Sequence, residues 1–169
     1  MDWGARERQE RTYRARMPYA DWAGVRRDLI TALEGLGDRE FLILGEPTPD
    51  AVPPRRGLFG RRTPPAPTRY VQVLRLEQVL SAECVGAASL GGTWHMGTST
   101  IQHLRDMGWL TALESRAEYG NVTPNFELYV DLESSDGLPD VLVASLAILG
   151  ALPGSLVLES SGGAAQQVG

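Results

Sequence analysis

Few residues of this chain have side chains that could do chemistry, and they are widely spaced. His95 and His103 are the only histidines, and they lack the HExxH spacing of a zinc protease; the single cysteine, Cys84, has no second cysteine to complete a metal site. Cys84 could pair with either histidine as an activated nucleophile, but a thiol in mid-strand is usually a buried structural residue. This set of residues therefore predicts no catalytic centre and no metal site.

The glycine-rich segment LGGTWHMG, residues 90–97, is the most suggestive loop. It matches neither the GxGxxG pattern between a strand and a helix nor a phosphate-binding loop with a following Lys-Ser/Thr pair, and the chain has no Gly-x-Ser-x-Gly elbow. Glu83 could be a buried acid, but its place on an alternating strand favours exposure to water. We predict that the loop is a turn that positions Trp94, that the protein is not an enzyme, and that it holds no cofactor.

The formal net charge of −5 is unevenly distributed. Residues 1–16 carry five Arg against three acids, and residues 45–69 carry five Arg against two, so the rest of the chain holds six Arg and 16 acids. An acidic body of this kind repels nucleic acid and anionic lipid, so we predict neither nucleic-acid binding nor membrane insertion.

The N-terminal residues are charged where a signal peptide needs an apolar core, and nowhere do about 18 apolar residues run together. One cysteine cannot form an internal disulfide, which agrees with a reducing compartment. We expect a cytoplasmic protein.

The elements that must position any site follow from hydrophobic periodicity. After Asp21, a good N-cap, apolar residues recur at steps of three and four as far as Leu36, which predicts an amphipathic helix. No element is predicted for residues 110–124. The other predicted elements are strands at 40–44, 70–76, 79–87, 126–132 and 156–158, and helices at about 98–108 and 138–149.

The chain divides into a flexible basic arm (1–18), one domain (19–158) and a flexible tail (159–169). Seven of the eleven prolines lie in an inserted loop at 45–68. Its Leu58-Phe59 pair between two Arg pairs resembles a docking motif, although a disordered linker is the simpler interpretation. We also form the hypothesis that this loop folds back on the acidic body and competes with a partner. The order of elements predicts an α+β fold with the outer helices on one face of an antiparallel sheet.

Strand 70–76 is apolar on both faces, with Val71 and Val73 on one and Tyr70, Leu74 and Leu76 on the other. Such a strand is either buried on both sides, the interpretation that we favour, or has one face that binds a partner. The candidate partner-binding residues are Tyr70, Leu74, Leu76, Trp94, Trp109 and Tyr129, although a Trp at a helix end, such as Trp109, more often fills the core.

These segments resemble the TY-Chap family of small bacterial proteins, which are similar to class I type III secretion chaperones and to YbjN. The resemblance covers roughly residues 20–158. It rests on the Trp22 helix, on YVQVLRL followed by SAECVGAASL, on IQHLRDMGWL, on Pro124-Asn125-Phe126, and on SLAILGALPGSLVLE.

The resemblance implies an α-β-β-β-α-β-β-α fold with a curved sheet backed by helices, and frequent homodimerisation. It implies a chaperone or adaptor that binds a client protein or peptide without a cofactor. The insertion at 45–68 is longer than that fold needs, and the second strand of the later pair is hard to locate. Two alternatives remain open: a small-molecule-binding regulatory domain with a pocket near Trp94, His95 and Trp109, and an immunity-type protein that binds one fixed target.

Overall fold

The computed structural model describes residues 12–16, 18–47 and 67–162, which form one six-stranded sheet and four α-helices. Short 3-10 turns lie at Ala88–Leu90, Leu132–Gly137 and Pro153–Ser155. The strands are β1 (Thr12–Arg16), β2 (Phe41–Gly45), β3 (Tyr70–Leu76), β4 (Val79–Cys84), β5 (Phe126–Asp131) and β6 (Val157–Ser161), and the helices are α1 (Trp22–Glu34), α2 (Thr98–Asp106), α3 (Ala112–Tyr119) and α4 (Leu138–Ile148).

The sheet has the strand order β1-β6-β2-β3-β4-β5, and every neighbouring pair is antiparallel. The predicted α+β class and the antiparallel sheet backed by helices are confirmed. The β3–β4 hairpin has the predicted turn at Glu77-Gln78, and Glu77 adopts a left-handed backbone with φ 53°.

Helices α1 and α4 cover one face of the sheet, called here the inner face. Asp21 caps α1 as predicted by accepting a hydrogen bond from the Gly24 amide at 3.0 Å. In the apolar stripe of α1, Val25 and Leu29 are fully buried and Trp22 and Leu33 are partly buried against the core. Arg26 on the exposed side of the helix forms a bidentate ion pair with Asp140 at the start of α4. The stripe docks α1 on the sheet, and the ion pair links the two helices across their exposed surface.

Directly opposed residues of an antiparallel sheet point to the same side, so the register identifies the inner face strand by strand. Its side chains form most of the core together with the helices. The inner-face residues are Leu42 and Leu44 of β2, Val71, Val73 and Arg75 of β3, Leu80, Ala82 and Cys84 of β4, Phe126, Leu128 and Val130 of β5, and Leu158 and Ser160 of β6.

Cys84 is fully buried in β4, in agreement with the prediction of a structural thiol. Burial raises the pKa of the thiol to about 12. At pH 8 we therefore expect a thiol reagent to label the native protein at least about 100-fold more slowly than the urea-unfolded protein, since the thiolate is the reactive species. Rapid stoichiometric labelling without denaturant would show that Cys84 is accessible.

Two predicted boundaries are wrong. Residues 12–16 do not belong to a flexible arm, because they form the edge strand β1 and pair with β6. The tail does not start at residue 159 either, because β6 continues to Ser161 and lies between β1 and β2 inside the sheet. Pairing with β6 orders β1, and pairing with β1 and β2 on its two sides orders the end of β6, although the local sequence of these segments does not indicate it.

The region 110–124, for which no element was predicted, contains α3. Thr111 and Glu114 form a capping box there: each side chain accepts a hydrogen bond from the backbone amide of the other. The order of elements after α2 also differs from the one that the resemblance implied. A second short helix follows α2, and α4 separates β5 from β6 where two consecutive strands were expected.

Candidate functional site

The side of the sheet opposite α1 and α4, called here the outer face, carries the candidate site. The register assigns its members, because Phe41 lies opposite Leu74, Leu76 opposite Val79, and Gly45 opposite both Tyr70 and Val157. The outer face comprises Arg14 of β1, Phe41, Ile43 and Gly45 of β2, Tyr70, Gln72, Leu74 and Leu76 of β3, Val79, Ser81 and Glu83 of β4, Glu127, Tyr129 and Asp131 of β5, and Val157, Glu159 and Ser161 of β6.

Strand β3 is buried on one side only. Val71 and Val73 on its inner side are each 1% exposed, whereas Leu74 is 37% and Leu76 is 45% exposed on the outer face. Our favoured interpretation, burial on both sides, is therefore wrong. Among the described residues, no element covers Leu74 and Leu76. They form an apolar row with the half-buried side chains of Phe41 and Val79 on the neighbouring strands.

A recess of about 240 Å³ opens in the outer face beside this row. Ile43, Tyr70 and Val157 supply apolar wall, and Arg14 and Glu159 form an ion pair at 3.1 Å on its β1–β6 side. The remaining lining residues are Gly45, Glu46, Pro47, Thr68 and Gln72. The lining of the recess is thus mixed, with apolar side chains beside polar and charged ones.

Asn125, just before β5, fixes the ring of Tyr70. Its side-chain amide donates hydrogen bonds to the Tyr70 hydroxyl at 3.0 Å and to Glu83 at 2.9 Å. Burial raises the pKa of Tyr70, and the nearby Glu83 carboxylate acts in the same direction. Tyr70 therefore stays a neutral, oriented aromatic at one end of the recess, and Glu83 is half-buried rather than freely solvated.

Glu46 and Arg69 close the base of the long insertion. The Glu46 amide donates to the Arg69 carbonyl at 3.0 Å, and the Arg69 guanidinium donates back to the Glu46 carboxylate, with an Nε contact of 2.9 Å. Burial opposes ionisation of Glu46, but the hydrogen bonds and charge of Arg69 outweigh it and hold the pKa of that carboxyl below its usual range. The same guanidinium lies over the Trp94 ring, 4.9 Å from its centroid.

The glycine-rich loop has a structural role, as predicted. The amides of Thr93 and Trp94 both donate to the Gly86 carbonyl at 3.0 Å, and Trp94 pairs with Ala87 in a short parallel bridge. Trp94 is thereby held half-buried against the core and against Arg69. It lies at the end of the sheet and does not line the recess.

Tyr129 lies on the outer face where α3 covers it. Its ring packs on Tyr119 at a centroid distance of 4.5 Å, and its hydroxyl accepts a hydrogen bond from Asn121. Glu127 beside it is only 4% exposed and accepts a hydrogen bond from Ser115 of α3. Burial, followed by the charge of Glu127, raises the pKa of Tyr129. Strand alternation predicted the face of these residues correctly, but not that a helix covers them.

Trp109 does not reach a surface. It is 1% exposed and its indole N–H donates to the Ser145 hydroxyl of α4 at 2.8 Å. The candidate binding role of Trp109 is therefore corrected to that of a core residue. The structure brings Tyr70, Leu74 and Leu76 together on the open part of the outer face, and leaves Trp94, Trp109 and Tyr129 elsewhere.

A second recess, of about 460 Å³, lies on the helix-covered side near the β3–β4 turn. Its lining combines apolar side chains, including Leu33, Leu80 and Leu132, with the polar and charged side chains of Glu34, Arg75, Ser135 and Asp136. Neither recess is lined by Trp94, His95 or Trp109, the place where a small-molecule pocket was expected.

The residues considered first for chemistry are not assembled into a site. Cys84 is buried, whereas His95 and His103 are exposed. Within the described residues, no three His, Cys, Asp or Glu side chains are grouped so that they could hold a metal ion. In that same part of the chain, no helix is both long enough and apolar enough to cross a bilayer.

One family model matches most of the chain. It is TY-Chap3, described as T3SS (YopN, CesT) and YbjN peptide-binding chaperone 3, and it matches residues 15–162. That span includes the whole outer face apart from Arg14 at its edge. No curated protein and no solved structure matches the chain.

Proposed function

The chain belongs to the TY-Chap3 family of peptide-binding chaperones, and on that premise we propose that it binds a segment of a client protein along the outer face of its sheet. The observation that carries this proposal is the open apolar row on β3. Leu74 and Leu76 are exposed there, while α1 and α4 occupy only the inner face.

The outer face suits an extended peptide better than a compact ligand. One face of an antiparallel sheet can remain in contact with water, but contiguous exposed apolar side chains mark a binding surface. The recess of about 240 Å³ beside Tyr70 is smaller than the usual pocket for a small molecule, at roughly 300–1,000 Å³. We infer that it receives one or two side chains of the client while the rest of the segment lies over the leucines.

The client could also bind through its main chain, as an added strand at the edge of the sheet. Within the described residues, β1 is the last strand on one side of the sheet, so we infer that its outer edge offers backbone groups to an added strand. In this mode the sheet edge gives affinity and the neighbouring recess gives selectivity. We also propose that the protein binds its client without catalytic turnover and that it is cytoplasmic. The resemblance further implies a homodimer, and light scattering would measure that oligomeric state directly.

The test uses peptides selected from a random 12-residue library on the purified full chain. We expect Leu74→Asp combined with Leu76→Asp to weaken the selected peptides at least about 10-fold, since two apolar contacts are replaced by charges that resist desolvation. Both side chains are exposed, so the free energy of unfolding should change by no more than about 1 kcal/mol.

The matched control combines Ile148→Asp with Leu152→Asp. These residues are 38% and 69% exposed, but they lie on α4 and just after it rather than on the outer face. They should leave peptide affinity unchanged. Equal affinity in both double variants, or a larger loss in the α4 pair, would reject the outer face as the binding surface.

A further inference from the structure

We propose that the outer face selects client segments with an uncharged apolar side chain for the recess and, about six to eight residues away, a basic side chain for Asp131. This inference rests on the proposed function, because it names the kind of segment that the same surface binds. The observation that carries it is the distribution of paired and unpaired charges over the face. The hypothesis that the insertion competes with a partner concerns residues 48–66, which the structure does not describe, and it stays a prediction.

The charged residues that line the recess have partners of opposite charge. Arg14 pairs with Glu159 at 3.1 Å between the guanidinium Nε and a carboxylate oxygen. Glu46 pairs with Arg69 through the hydrogen bonds described above. A charged client side chain would therefore lose hydration at the recess without meeting a free counter-ion. The apolar part of the lining instead favours an aromatic or aliphatic side chain.

One carboxylate of the described outer face differs from the others, because it has no partner there. The Glu83 carboxylate accepts a hydrogen bond from Asn125 at 2.9 Å. Glu127 is buried under α3, where it accepts a hydrogen bond from Ser115. Asp131 at the end of β5 is exposed, and among the described residues its carboxylate has neither an ion pair nor a hydrogen bond. It is therefore available to a cation.

Asp131 lies beside the apolar row. It is the direct cross-strand neighbour of Val79, which in turn lies opposite Leu76, so the three residues form one line across β5, β4 and β3. Arg39, which precedes β2, already has the Asp38 carboxylate 3.9 Å from its guanidinium. A basic client residue can thus lay its hydrocarbon stem on the row and place its charged end at Asp131.

The distance between the two positions sets the spacing in the client. From Tyr70 at the recess to the level of Leu76 is about 20 Å along β3, and from β3 to β5 is about 10 Å across two strand spacings. The direct line is therefore about 22 Å, which extended chain covers in about six to eight residues at about 3.3 Å each. Since alternate residues of an extended segment point the same way, an even number of positions separates the two side chains.

The first test is peptide selection. A random 12-residue library reaches both positions, since 12 extended residues span about 40 Å. We expect peptides selected on the purified full chain to carry an aromatic or aliphatic residue and an Arg or Lys about six or eight positions apart. Selection on the Asp131→Asn variant should retain the apolar residue and lose the enrichment of the basic one. Absence of that enrichment on the unmodified chain overturns the proposal.

The second test compares one selected peptide with a form in which Gln replaces its basic residue. We expect Asp131→Asn to weaken the basic peptide about 3-fold at low salt and to leave the Gln form unchanged, as is usual for an exposed ion pair. In the Asp131→Arg variant, a form with Glu at that position should bind more tightly than the basic peptide. Asp131 donates no capping contact to the 3-10 turn that follows it, so both substitutions should leave the fold intact.

The matched control is Glu34→Gln. It removes another exposed carboxylate without a described ion pair, at the end of α1 and away from the outer face, so it should leave both the enrichment and the affinities unchanged. Equal losses in Asp131→Asn and Glu34→Gln would show that the net charge of the protein selects basic peptides, and would overturn the inference.

The outcomes also separate this inference from the proposed function. If the Leu74→Asp and Leu76→Asp double variant weakens peptide binding but Asp131→Asn does not, only this inference fails. If no peptide binds the unmodified chain, or if the double variant binds peptides as tightly as the unmodified chain does, the proposed function itself fails.

Discussion

Replacing Trp109 with Ala is expected to lower the free energy of unfolding by about 3–5 kcal/mol, the usual cost of removing a buried aromatic. The indole is 1% exposed and lies between the end of α2 and α4. Its N–H donates to Ser145, whose hydroxyl donates in turn to the Val141 carbonyl at 2.7 Å. The substitution therefore leaves a large cavity and removes the polar link between these helices. Urea denaturation followed by circular dichroism measures the loss.

Two further variants separate the effect of the cavity on stability from the effect of the lost hydrogen bond. Ser145→Ala keeps the ring but leaves a buried indole N–H without an acceptor, which should cost about 1–3 kcal/mol. Leu113→Ala alters an α3 side chain that is 70% exposed and should change the free energy by no more than about 0.5 kcal/mol. A Trp109→Ala variant as stable as Leu113→Ala would show that Trp109 does not fill the core.

Gly86→Ala is expected to destabilise the protein by about 3 kcal/mol or more, the upper end of the cost of overpacking. A Cβ atom at this position would lie 1.9 Å from the Pro124 carbonyl oxygen and 2.7 Å from its carbon, so backbone would have to move. Gly92 of the glycine-rich loop approaches the Gly86 backbone from another direction, with its own Cβ position 2.1 Å from the Gly86 carbonyl carbon. The substitution would thus separate β4, the loop of Trp94 and the start of β5.

Gly97→Ala is the matched control. A Cβ there meets nothing within 4 Å and φ is −77°, so Ala fits without strain. Because Gly97 is the N-cap of α2, where Ala is less favourable than Gly, the change should cost no more than about 1 kcal/mol. Thermal unfolding of both variants gives the comparison. Equal melting temperatures would mean that the segments around Gly86 are packed more loosely than the structure shows.

Local sequence signals predicted those helices and strands whose conformation does not depend on pairing with distant parts of the chain. The Asp21 cap and apolar stripe defined α1, and the two-residue turn at Glu77-Gln78 defined the β3–β4 hairpin. Helix α3 was missed although its signal was present, since Thr111 and Glu114 have the spacing of a capping box.

Other parts of the fold were not predictable in this way. The segment TYRAR alternates Tyr13 and Ala15 with two arginines, but it has no large aliphatic residue. Its strand conformation depends on pairing with β6, which lies more than a hundred residues later in the chain. Alternation separated the two faces of β3 correctly, but it could not show which face the helices would cover. For the same reason Trp109 and Leu76 both stood among the candidate binding residues, although a core position was the more usual one for Trp109. The docking of α4 against Trp109 decides between the two roles.

The central position of the last strand has a consequence for biosynthesis. Strand β2 is synthesised early, but β6, which lies between β2 and β1 in the sheet, is complete only when residue 161 has been added. Until then, one edge of β2 in the nascent polypeptide is unpaired, and β1 lacks β6, the strand with which it pairs. Because such non-local pairing is slow and leaves intermediates prone to aggregate, this chaperone-family protein itself has a long interval in which it needs protection.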